Sequence, residues 1–134
     1  MRFCWLISVV LFSLAGCSQK PAEVVEEAQK AAESWRETLR MTLQQWIDDR
    51  VPARYVKQIF KAGQNELGKE LEGLQKVPAG QAGREQVIKQ LSALQEWAEK
   101  NLGNLSQADH KKRQEMLASL PRDESEQQSG GGRR

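Results

Sequence analysis

From residue 22 to 50 the chain contains neither Gly nor Pro, and its apolar positions recur at three- and four-residue steps: Val25, Ala28, Ala32, Trp35, Leu39, Leu43, Trp46 and Ile47. That is one stripe of a 3.6-residue period and predicts a long amphipathic helix. Pro21 suits its first turn, and Glu23, Glu26 and Glu27 complement its positive N-terminal end. Trp35 and Trp46, about three turns apart on the stripe, read as packing anchors. The run ends at Asp48-Asp49-Arg50-Val51-Pro52. A proline inside a helix costs about 3 kcal/mol, so either the helix kinks here or a second one starts with Asp49 as its cap. A second helix is favoured, through Tyr55, Val56, Ile59, Phe60, Leu67, Leu71 and Leu74 to Val77-Pro78. Gly63, Gly68 and Gly73 weaken it; Gly63 lies on the stripe, where it allows either close approach of another helix or an interruption.

Residues 77–83 read as a loop. A third helix over Arg84–Leu102 aligns Val87, Ile88, Leu91, Leu94, Trp97 and Ala98, supported by Glu85/Lys89 and Glu96/Lys100 four residues apart, with Gly103 as C-terminal cap. Ser106-Gln107-Ala108-Asp109 fits a capping box with Asp109 in the glutamate position, opening a short helix that Pro121 ends. Beyond it, residues 121–134 lack the apolar content to build a core and are expected to be a disordered tail. No strand pattern and no internal repeat is present. The fold predicted is all-α: a small antiparallel bundle of three amphipathic helices plus a short fourth, over 22–120. An elongated coiled coil fits less well, because the stripe loses register across the proline and the loop.

The N-terminal segment has a different character. After Met1-Arg2, residues 3–16 are uncharged, and at about 1.5 Å per residue they make roughly 21 Å of helix, short of a ~30 Å hydrocarbon layer. The pattern is that of a signal-peptide apolar core. It ends in Leu14-Ala15-Gly16-Cys17, which resembles the lipobox of bacterial lipoprotein precursors. The resemblance covers this processing signal alone and says nothing of residues 19 onward. It implies cleavage before Cys17, a diacylglyceryl group on the Cys17 thiol, commonly acylation of the new amino terminus, and residues 17–21 as a lipid-anchored linker. The alternative is an ordinary secretory signal with Cys17 incidental. In Gram-negative members of the class an aspartate after the cysteine favours the inner membrane. Ser18 stands here, which implies the periplasmic side of the outer membrane, a Gram-negative source being assumed.

Charge and cysteine content then take on a narrower meaning. The whole chain has 20 Lys+Arg against 18 Asp+Glu, and loss of residues 1–16 removes one cation, Arg2, together with Cys4. Near-neutrality gives no overall signature of a nucleic-acid binder, and with Cys17 alkylated no thiol is left for redox or nucleophilic chemistry. His110, without a second His or Cys nearby in sequence, reads as solvated rather than as a metal ligand. No phosphate-binding glycine loop or serine elbow is found, and Asp48-Asp49 read as capping residues rather than an acid/base pair. No enzymatic activity, metal or cofactor is expected.

One cluster stands out. Arg50, Arg54, Lys57 and Lys61 are spaced four, three and four apart, no acidic residue occurs from Val51 to Asn65, and Tyr55, Val56, Ile59 and Phe60 run beside them. The pattern suits an anionic lipid surface, lipopolysaccharide phosphates or an acidic partner protein; the plainer alternative is a solvated basic side with Phe60 in the core. The expected role is that of a non-catalytic accessory protein of an envelope assembly, held at the membrane through Cys17. An immunity or exclusion lipoprotein directed at an incoming toxin or at conjugation or phage machinery is the alternative. A structural envelope spacer comes third, although the chain ends Gly-Gly-Gly-Arg-Arg, without the terminal lysine through which the major envelope lipoprotein is linked to peptidoglycan.

Overall fold

A computed structural model describes residues 19–123. Residues 1–18, with the expected signal segment and Cys17, and residues 124–134 lie outside the described residues. The chain forms α1 (Pro21–Ile47), α2 (Ala53–Gln75), α3 (Arg84–Leu102), a single 3-10 turn (Leu105–Gln107) and α4 (His110–Ser119), with no strand among the described residues. It is all-α, and successive helices run antiparallel.

The three long helices bury most of their predicted stripes, except that Tyr55 is 41% exposed and Trp35, Ile59, Leu71 and Ile88 are only partly buried. Ala28, Ala32, Leu39, Leu43 and Trp46 of α1 meet Val56, Phe60, Leu67 and Leu74 of α2 and Val87, Leu91, Leu94 and Trp97 of α3 in one continuous core. Phe60 and Trp97 pack as a tilted pair, with ring centroids 5.3 Å apart. α2 stays helical through all three glycines, and close approach is the reason Gly63 belongs there: a Cβ at this position would lie 3.2 Å from Trp35 Cε3. Trp35, whose ring lies against this glycine, is partly buried, whereas Trp46 is 2% exposed.

The α1–α2 junction differs from the sequence expectation in its caps. α1 stops at Ile47, and two helices separated by a turn replace a kinked one. Asp49 does not cap α2, whose N-cap is Pro52 and has no side-chain cap. Instead the Arg50 amide donates to Gln45 O at 2.8 Å and the Asp49 amide to Trp46 O at 3.1 Å, closing α1 in a Schellman arrangement. Asp49 takes the left-handed position, φ 54°, that this closure needs at the residue after the cap.

α3 spans the predicted Arg84–Leu102 and follows Gly83, which has φ 79°. Gly103 does sit at the C-cap, but in the ordinary right-handed region, φ −67°, and the chain continues into the 3-10 turn. The capping box expected at Ser106 is displaced. Asp109 is itself the N-cap of α4, accepting from the Lys112 amide at 2.8 Å, because Ser106 is taken up in the preceding turn.

α4 docks antiparallel along α1, over its groove with α3. Near its start, Arg113 lies 4.5 Å over the Trp46 ring and donates to Trp46 O (3.0 Å) and Asp49 Oδ1 (2.9 Å). Near its end, Trp97 Nε1 donates to Ser119 Oγ at 3.0 Å. Residues 121–123 extend this attachment. Arg36 Nε donates to Pro121 O at 3.1 Å, and Asp123 accepts from Gln90 Nε2 at 3.1 Å while facing Arg36 Nη1 at 3.6 Å.

Candidate functional site

The long axis of the bundle separates two ends. At one lie the start of α1 and the α2–α3 loop, in contact where Gly83 faces Val25. At the other, about 40 Å away along the 27 residues of α1, lie the α1–α2 turn, the start of α2 and the α3–3-10 corner. The basic cluster belongs to the second end.

The structure separates its members. Arg54, Lys57 and Lys61 share one exposed face of α2, while Arg50 precedes the helix, in the turn that closes α1. No side chain of the four has an ion pair or hydrogen bond with a described residue. The apolar residues beside them divide. Val56 and Phe60 are fully buried and Ile59 packs partly against the core, so only Tyr55, 41% exposed, remains at the surface with the cations. α2 also begins with no acidic residue in its first turn and no side-chain cap, so the positive end of its dipole adds to this face.

Sequence spacing alone could not reveal what lies next to these cations. Ala53, Arg54 and Lys57 of α2 face Leu102, Gly103 and Leu105 across a hollow of about 350 Å³. Its walls are mostly apolar and two cations stand on its α2 side. A second hollow of about 370 Å³ adjoins it on the other side of Ala53, where Trp46, Asp49, Arg50 and Arg113 meet. The α3 half of the first hollow comes from residues about fifty positions downstream, and the only local hint of it is the glycine at 103, which leaves that wall low: a Cβ there would have no atom within 4 Å.

The remaining titratable groups are structural. Burial pushes the Glu70 carboxyl above its usual range, and the nearby Glu27 and Glu66 act in the same direction. Exposed Glu26 is held below the usual range by the Lys30 ammonium, 2.8 Å away. His110 is exposed, and its Nε2 lies 3.1 Å from Gln114 Nε2. Among the described residues, no group of three His, Cys, Asp or Glu is placed to hold a metal ion, and no helix is long and apolar enough to cross a membrane. Gln90 Oε1 is buried and has no hydrogen-bond partner among the described residues, while its amide nitrogen donates to Asp123.

No family model matches the chain, and no curated protein or solved structure matches it either.

Proposed function

We propose that this protein is a lipid-anchored, non-catalytic accessory protein of a bacterial envelope assembly, tethered through Cys17 on the periplasmic side of the outer membrane. The observation that carries this reading is Leu14-Ala15-Gly16-Cys17 at the end of an uncharged segment, four residues before α1 begins. A linker of four residues spans at most about 14 Å, so a domain starting at Pro21 is held close to the bilayer. Two or three acyl chains, at about 0.8 kcal/mol per buried methylene, make such tethering durable. Arg54, Lys57 and Lys61 of α2, exposed and without an ion pair among the described residues, support a binding role for the other end of the bundle.

Metabolic labelling with a tagged fatty acid tests the anchor. The wild-type chain is expected to take up label and to begin at Cys17, and the Cys17→Ala chain to take up none; an unlabelled wild-type chain overturns the anchor. In-cell crosslinking tests the accessory role. A discrete adduct with another envelope protein is expected, and a chain recovered solely as monomer overturns that role.

A further inference from the structure

We infer that the hollow between the start of α2 and the α3–3-10 corner is a docking groove for an acidic segment of a partner protein, presented away from the anchoring membrane. This deepens the accessory reading above and rests on it for the orientation. Three observations identify the occupant.

Charge comes first. Arg54 and Lys57 line the groove, Arg50 and Lys61 flank it, all four are exposed and without an ion pair among the described residues, and no acidic residue interrupts 51–65. Unneutralised cations around a low-dielectric wall favour an anionic ligand and raise its association rate. The shape and lining of the groove come second. Ala53, Leu102 and Leu105 give it apolar walls, and a hollow of about 350 Å³ admits a large apolar side chain between flanking carboxylates. That combination fits an acidic segment bearing an apolar anchor, whereas a phosphate or sugar alone would leave the walls unused.

Position comes third and decides between a protein and the anchoring bilayer. α1 carries the groove about 40 Å from the end that the linker holds at the lipid. A membrane-binding helix also needs an outward apolar face to insert, and here Val56 and Phe60 are fully buried.

Gly103 supplies a clean probe, since it lines the groove, φ −67° suits any L residue, and a Cβ there would meet no atom within 4 Å. The test measures fluorescence anisotropy of a labelled peptide with Glu and Leu on alternate faces, titrated with the purified full chain in nonionic detergent. A Lys-for-Glu peptide serves as control, and displacement of the bound acidic peptide by phosphatidylglycerol added to the detergent micelles provides the competing measurement. The acidic peptide is expected to bind in a salt-sensitive way, and the control not to bind. Both Gly103→Gln and the Arg54→Glu/Lys57→Glu pair should weaken binding at least about tenfold, with helical circular dichroism unchanged. No binding of the acidic peptide, equal binding by Gly103→Gln, or displacement of the bound peptide by phosphatidylglycerol at low micromolar concentration each overturns the groove as a protein-docking site. Peptide binding does not require the lipid, so a chain that binds the peptide but takes up no fatty-acid label would fail the anchor alone.

Discussion

Asp49 and Arg113, 64 positions apart, close the end of the bundle where the groove lies, and their contributions are unequal. Asp49 holds a left-handed backbone conformation that costs an L residue roughly 1–2 kcal/mol, less for Asp than for most. Its carboxylate is 82% exposed, so its pairing with Arg113 contributes about 0–1 kcal/mol. Asp49→Gly removes the conformational cost together with the ion pair and is expected to leave stability within about 0.5 kcal/mol of wild type. Arg113 also stacks on Trp46 and donates to the Trp46 and Ala108 carbonyls. Arg113→Ala is expected to destabilise by about 2 kcal/mol, with α4 loosening first. Denaturant unfolding followed by circular dichroism checks both, and an equal loss in the two variants would contradict the assignment. At Gly63 the margin is steric. Gly63→Val places branched carbons against the Trp35 ring and is expected to cost about 1–3 kcal/mol by the same measurement, despite the better helix propensity of valine.

Among the helices, α1 and α2 carry the feature that depends most on pH. Glu70 of α2 has its carboxyl pushed above the usual range by burial first and by Glu27 and Glu66 second. The folded state therefore binds its proton more tightly than the unfolded chain does. The stabilisation this gives is fully present in acid below the usual carboxylate range and is lost as pH rises through the raised value. At neutral pH the charged Glu70 opposes folding, so Glu70→Gln is expected to raise Tm there, with the difference shrinking toward acid pH. Melting curves across that range decide it, and a difference independent of pH would refute the charge argument. Helix limits were largely legible beforehand: α3 spans the predicted Arg84–Leu102 because Gly83 and Gly103 flank an unbroken apolar period. The caps were less legible. Asp49 and Asp109 have intrinsic preferences for several neighbouring roles, and whether a carboxylate caps the next helix or closes the last one depends on where the chain turns.

For the molecule as an assembly of four helices, the stripes on α1, α2 and α3 already required mutual burial, because no amphipathic helix of this composition is stable with its apolar face in water. Local periodicity thus decided the all-α class, the three long helices and most of the core, and the proposed lipid anchor at Cys17 rests on local sequence alone. Tertiary structure decided everything that depends on approach between distant positions. It made Gly63 a seat for Trp35, split Val56 and Phe60 from the cations beside them, fastened α4 through Arg113, and joined Arg54 and Lys57 to Leu102 and Leu105 around one groove. The physical reason is that a 3.6-residue period fixes which side of a helix is apolar, while the partner that covers each stretch of it, and the hollow left where coverage stops, follow only from how the helices pack.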